Sequence, residues 1–283
     1  MRPDVLLDGL SFGECPRWRE GRLWLSDMHA RMVMTVTADG ASEPIVEVPN
    51  QPAGLGWLPD GRLLVVSMTD RKVMRLEDGV LVEHADLGQL AAWHCNDMVV
   101  DAHGNAYVGN WGFALNAPGA VPERARLALV TPDGHVQAVG GELSYPNGLV
   151  VAEDGCTLIV AETLGARLTA FTIEEDGSLS HQRRFADLAP NIPDGICLDA
   201  EGAIWSADPM HGECIRVADG GDVLERVTTG RGCFACVLGG EDGCTLFMLT
   251  ADDSDEARAR ELRSSRVETV RVEVPAAGVR SPS

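Results

Sequence analysis

The chain has 283 residues, 45% of them hydrophobic, which is long for a two-layer domain and sufficient for one closed β architecture. Its 43 acidic and 23 basic residues leave a formal charge of −20, which repels phosphate backbones and anionic bilayers and so excludes nucleic acid and acidic membrane surfaces as expected partners. Acids at Asp4 and Asp8 interrupt the stretch a signal peptide would need, and no apolar run is long enough to span a bilayer, so a cytoplasmic protein is expected.

Taken in chain order, one element recurs: a turn carrying Gly, then an alternating apolar strand. It reads Glu20-Gly21-Arg22-Leu23-Trp24-Leu25, then Asp60-Gly61-Arg62-Leu63, then His103-Gly104-Asn105-Ala106-Tyr107. It returns at Asp154-Gly155, at Glu201-Gly202 and at Asp242-Gly243, so the glycines are 40 to 51 residues apart and the copies nearly exhaust the chain. Asp-Gly and Glu-Gly are hairpin signals, because glycine accepts the positive φ of such turns. A second series lies between them at Gly40, Gly79, Gly134, Gly177 and Gly220. Two hairpin turns per unit imply four short antiparallel strands per unit, the period of a propeller blade. The expected fold is all-β: one six-bladed β-propeller over 1–283, with about 276–283 a flexible tail. A β-sandwich, the competing fold, would not repeat one turn at one spacing six times.

No convincing amphipathic helix is predicted; the strongest candidate, Asp252 to Arg263, is short and charged. The strand from Val267 is expected to pair with another blade strand or with Val5-Leu6-Leu7, closing the ring and removing an exposed edge. Cys233 and Cys236 form the chain's one C-x-x-C pair and, without a second pair or a βαβ context, read as buried thiols.

Counting back eight residues from each repeated glycine compares equivalent points at the mouth of the innermost strands. Blades three, four and five offer Asn96, Asn147 and Asp194, and blade one offers Glu14 seven residues back. Blades two and six offer Ala53 and Ala235. Any one of these polar residues could simply start a strand as a turn residue. Four in one register make two carboxylates and two amide oxygens, a set that suits a hard divalent cation at the central channel. Calcium fits so loose a set better than magnesium, and zinc would be expected to recruit His or Cys.

With that order and spacing, Gly13-Glu14-Cys15-Pro16-Arg17-Trp18, Asn96-Asp97, Pro146-Asn147-Gly148-Leu149 and Pro193-Asp194-Gly195-Ile196 resemble the regucalcin (senescence marker protein)/gluconolactonase family. The resemblance runs from about residue 8 to about residue 275. It implies a six-bladed propeller that holds one divalent metal, often calcium, and opens sugar lactones or related esters; manganese, magnesium or zinc would be the alternatives. It also implies metal ligation by Glu14, Asn147 and Asp194, with Asn96 completing the site or orienting substrate. Asp194 corresponds to the general base and Asp97 to a further acid near the site. The chain departs from the family where His94 stands in place of Arg and where Gly109-Asn110-Trp111-Gly112-Phe113 stands in place of an acidic segment. His94, Asn96, Asn110 and Trp111 are the expected substrate contacts, and Trp93, Trp111 and Phe113 suggest a less polar substrate.

The expected chemistry is hydrolysis of a small-molecule lactone, with the carbonyl polarised by the metal and water activated by Asp194. No Gly-x-Ser-x-Gly elbow is present, which argues against a serine nucleophile. His94 is the alternative base, His211 reads as loop, and His29 receives no role. Trp18, Trp24, Trp57 and Trp205 read as inter-blade packing, and the Asp252–Glu256 run as a solvated loop. The competing functions are an organophosphate or aryl-ester hydrolase on the same scaffold and a ligand-binding propeller without chemistry.

Overall fold

A computed structural model describes residues 2–115 and 117–278. The first strand, β1 (Asp4–Leu10), stands apart from its sequence neighbours. Blade one runs β2 (Gly13–Arg19), β3 (Arg22–Asp27), β4 (Met32–Val36) and β5 (Ser42–Glu47), and blade two runs β6 (Pro52–Trp57), β7 (Leu63–Ser67), β8 (Lys72–Glu77) and β9 (Val80–Asp86). Blade three is β10 (Cys95–Val100), β11 (Ala106–Asn110), β12 (Ala125–Val130) and β13 (Val136–Leu143). Blade four is β14 (Pro146–Val151), β15 (Thr157–Glu162), β16 (Arg167–Ile173) and β17 (Leu179–Asp187). Blade five is β18 (Ile196–Leu198), β19 (Ile204–Asp208), β20 (Glu213–Val217) and β21 (Val223–Thr228). Blade six opens with β22 (Gly232–Gly239) and β23 (Thr245–Ala251), then passes through α1 (Glu256–Leu262) into β24 (Ser265–Arg271).

Each blade is a four-stranded antiparallel sheet, and the sixth takes its outermost strand from the other end of the chain, in the order β22-β23-β24-β1. Asp4 pairs with Thr269 and Leu10 with Ser265, so β24 has β23 on one side and β1 on the other. Both expected pairings of the C-terminal strand are therefore made at once, and the edge that would invite aggregation is covered. The innermost strands touch in cyclic order, β2 to β6, β10, β14, β18, β22 and back to β2, and this closed circuit makes the fold a six-bladed β-propeller.

The repeated turns join the first and second strands of every blade. At Gly104, φ is +87° and a Cβ would lie 2.8 Å from Pro59 Cδ of the preceding blade, so both backbone and neighbour require glycine there. Aromatic residues seal the seams between blades. Trp18 stacks on Phe247 at 5.1 Å, and Trp24 meets Trp57 edge-on at 5.3 Å. Trp205 is fully buried, as are Cys233 and Cys236, whose thiols are free.

The C-terminal segment corrects one expectation. Residues 276–278 are docked, not a tail: Ala276 bridges to Asp199, and the Ala277 N–H donates to the Leu198 carbonyl at 3.2 Å. Residues 279–283 lie outside the described residues. No helix among the described residues is long and apolar enough to cross a membrane.

Candidate active site

The innermost strands are irregular where it matters. In β2, β6, β10, β14 and β22 the pairing register slips near the strand's start, between Glu14 and Arg17, Pro52 and Leu55, Cys95 and Met98, Pro146 and Leu149, and Cys233 and Ala235. An extra residue at such a bulge breaks the ladder and re-aims one side chain, here towards the axis. Glycine follows several of the inward residues because the strands converge. A Cβ on Gly148 would lie 2.5 Å from the Ile196 nitrogen, and one on Gly195 would lie 2.7 Å from Ala235 Cα. Gly148 N–H donates to the Asp194 carbonyl and Gly195 N–H to the Phe234 carbonyl, so blade four hands its register to blade five and blade five to blade six.

That handover corrects the comparison of blades. Phe234, not Ala235, occupies in blade six the position held by Asp194 in blade five, and Ala235 matches Gly195. Counting back from the turn failed there by one residue because the bulge absorbs it. The axial position in blade six is therefore aromatic, while Ala53 stays the small residue of blade two.

Glu14, Asn96, Asn147 and Asp194 line one cavity of about 420 Å³ at the channel mouth. Asn96, Asn147 and Asp194 are each 8% exposed, open to the cavity and otherwise enclosed. Asn96 Nδ2 donates to Asn147 Oδ1 at 3.0 Å, and Asn147 Nδ2 donates to Thr163 Oγ1 at 3.2 Å. No Lys or Arg lines the cavity among the described residues. Burial lifts the Glu14 carboxyl from its ordinary 4.5 to about 8, helped by the nearby Asp97 charge and opposed by the Cys15 N–H. Burial, then the Glu14 charge, pushes Asp194 well above the carboxylate range, against the pull of the Asn147 amide. Two acids held so far towards the protonated form have no cationic side chain beside them in the cavity among the described residues, a counter-charge that a divalent cation among the four oxygens would supply. Among the described residues no group of three His, Cys, Asp or Glu side chains is arranged for an ion, so such a site depends on the two amides completing the carboxylate pair.

Two expected site residues are elsewhere. Asp97 follows the inward Asn96 and points the other way, into the wall, where Arg17 Nη2 donates to it at 2.6 Å. Arg17 also donates to the carbonyls of Leu55 and Met98, and so joins blades one, two and three beneath the site. Asn110 is buried and its amide serves the backbone: Nδ2 donates to the Arg126 carbonyl and Oδ1 accepts from Gly112 N–H. Neither residue lines the cavity. His211 is in a turn, bonded to Asp208 at 2.7 Å, as a loop residue should be.

The walls hold His94 and Trp111, both expected as substrate contacts, beside residues that sequence reasoning passed over, among them Phe12, His29, Tyr145 and Phe234. His94 stacks on Trp93 and lies against Trp111, each at 5.0 Å, and Trp111 reaches Tyr145 at 5.8 Å. Burial, reinforced by the Arg71 charge, lowers the pKa of His94 and keeps the ring neutral near pH 7. Across the axis, Phe12 stacks on His29 at 5.0 Å and meets Phe234 edge-on at 4.8 Å. Phe12 is held by its backbone N–H donating to Asp27 at 2.8 Å. His29, given no role above, faces the cavity and donates from Nε2 to the Ser254 carbonyl at 3.1 Å, tying blade one to the connection before α1. Ser254, Asp255 and Glu256 thereby form part of the rim, so this acidic run is more than a solvated loop. Asp255 also caps α1 by accepting from Arg258 N–H at 3.1 Å. The signal for these residues was topological: loops after the second strand of a blade lie on the face where the first strand begins. Tyr145 and Gln51, at φ of 61° and 66°, sit one residue before the prolines that open β14 and β6.

The closed six-bladed circuit and the cavity lined by oxygens at its axis define the class, a six-bladed β-propeller with an axial site. Residues 12–252 match the SMP-30/Gluconolactonase/LRE-like region, and the chain belongs to that family. It is 26% identical over 261 residues to a 6-deoxy-6-sulfogluconolactonase of Pseudomonas putida, covering 87% of this chain and 85% of that one. It is 33% identical over 240 residues to a regucalcin of Pongo abelii, covering 75% and 73%. A solved gluconolactonase of Xanthomonas campestris superposes with a TM-score of 0.76 at 25% identity, covering 96% of this chain and 88% of that one.

Proposed function

We propose that this protein is a divalent-metal-dependent hydrolase that opens a lactone. The observation that carries the reading is the convergence of Glu14, Asn96, Asn147 and Asp194, from four blades, on one cavity whose lining has no Lys or Arg among the described residues. Relatives named as gluconolactonases support the reaction class. Calcium suits the donors best, because it accepts a loose shell of about 6–8 oxygens that water and substrate can complete. The eight free thiols fit a reducing, cytoplasmic setting.

Glu14, Asn96, Asn147 and Asp194 would hold a divalent cation, which would supply polarisation of the substrate carbonyl and stabilisation of the charge that develops on its oxygen. Asp194 takes the proton of the attacking water as that oxygen bonds to the carbonyl carbon. General-base assistance of this kind contributes ~10²–10⁴ in rate. When the ring C–O bond breaks, Asp194 returns the proton to the departing alkoxide, leaving a hydroxy acid that releases its carboxyl proton to solvent. Asn96 and Asn147 brace one another and fix the carboxylate's surroundings. The new carboxylate product faces Asp255 and Glu256 at the rim, whose charge favours its exit.

The test is turnover of a lactone panel before and after EDTA, with Asp194→Asn beside the wild type. Loss of activity on chelation, restoration by one ion, and a fall of ~10²-fold or more in kcat for the folded variant are expected. Full activity in both EDTA-treated protein and Asp194→Asn would overturn the proposal.

A further inference from the structure

We infer that the site selects an uncharged lactone carrying an apolar, planar substituent, and discriminates against both polyhydroxylated and anionic lactones. The inference rests on the hydrolase reading above and specifies its substrate class. Two aromatic groups face one another across the axis: Phe12 and Phe234 from blades one and six, and Trp111 and Tyr145 from blades three and four. Met28 and Met68 line the wall between blades one and two, so the space above the four oxygens is apolar on several sides. Phe234 is the decisive residue. It stands in register with Asp194, at a point where four other blades present an oxygen-bearing side chain.

A sugar lactone brings several hydroxyls, and each one buried without a partner forfeits its bonds to water. Apart from the Tyr145 hydroxyl and the carboxylates of Glu14 and Asp194, the cavity has few polar side chains left to meet them. Asn96 and Asn147 are bonded to each other, Gln51 faces His29 at 3.5 Å, and His29 is held by the Ser254 carbonyl. Asn110, one expected hydroxyl contact, bonds to backbone instead. His94 keeps a free ring edge: its Nδ1 is buried with no partner, which favours the proton on Nε2 and provides one neutral donor. An aryl or branched alkyl group, by contrast, gains on burial and stacks on Trp111. An anionic substituent meets Asp255 and Glu256 at the rim, and no Lys or Arg lines the cavity among the described residues to receive it.

The experiment compares kcat/KM, in the calcium-loaded protein, for four lactones: unsubstituted δ-valerolactone, a phenyl-substituted δ-lactone, its carboxyphenyl counterpart, and glucono-δ-lactone. The phenyl lactone is expected to exceed the gluconolactone by at least ~10-fold. The carboxyphenyl lactone should fall ~10-fold below the phenyl lactone at low salt, and the gap should narrow at high salt. In Trp111→Leu the preference for phenyl over unsubstituted lactone should fall by ~10-fold, with Trp111→Phe restoring much of it. Gluconolactone as the best substrate, or a phenyl preference unchanged in a folded Trp111→Leu, overturns the inference and leaves the hydrolase reading standing. If no lactone is turned over, both fall together. The wild-type comparison decides the matter even if the variants fail to fold.

Discussion

Stripping the ion and raising the pH should destabilise this protein in a way that isolates Glu14. Its carboxyl has an ordinary pKa of 4.5 and rises to about 8 in the fold. A raised carboxyl means that, between those values, the folded chain holds a proton that the unfolded chain has released. Stability therefore falls with rising pH through that window, by about 1.4 kcal/mol per pH unit for one group. Across the window this is on the order of 5 kcal/mol, a large share of a typical domain's stability. Asp194, raised by burial and by Glu14, acts in the same direction. Histidines act oppositely: burial lowers His29 and His94, so their contribution is lost as pH falls below about 6.5. The assay is urea unfolding from about pH 5 to about pH 8, in EDTA and in calcium, for wild type and Glu14→Gln. Wild type in EDTA should lose stability with pH more steeply than Glu14→Gln, and calcium should flatten the wild-type slope by favouring both ionised carboxylates. Indistinguishable slopes for wild type and Glu14→Gln in EDTA would refute the reasoning.

Three further outcomes follow from the packing. Gly148→Ala forces a Cβ to within 2.5 Å of the Ile196 nitrogen, a backbone atom that cannot swing away, and should cost about 2 kcal/mol in chemical denaturation. Because Gly148 also donates to the Asp194 carbonyl, calcium affinity by calorimetry should weaken with it. Arg17→Leu leaves Asp97 charged and enclosed, at a cost of about 3 kcal/mol that the double variant Arg17→Leu/Asp97→Asn should largely recover; no recovery would deny the pairing. Deleting residues 2–10 removes β1 from blade six, uncovers the edge of β24, and should lower Tm and produce oligomers by light scattering, whereas a monomer of unchanged Tm would contradict closure by β1.

Much of the propeller is legible in the chain because its controlling features are local. A turn needing positive φ must be spelled with glycine, and the glycines at 21, 61, 104, 155, 202 and 243 fall at the same joint of every blade. Period-two alternation between such turns then leaves little choice but short antiparallel strands. The four inward oxygens could be found by counting, because equivalent residues in a repeat lie at equivalent radii.

What the counting missed depends on how strands meet. A bulge shifts register by one residue, and so Phe234 rather than Ala235 reaches the axis. Adjacent residues on a strand face opposite ways, which turns Asp97 into the wall against Arg17, a partner 80 residues earlier. Asn110 carries a polar group suited to a substrate, yet the nearest backbone claims it first. His29 and the 254–256 rim meet only because the chain closes on itself and brings blade six against blade one. Local conformational demands are written in residue identity, whereas the cavity's lining is set by long-range contacts, and only the tertiary structure decides those.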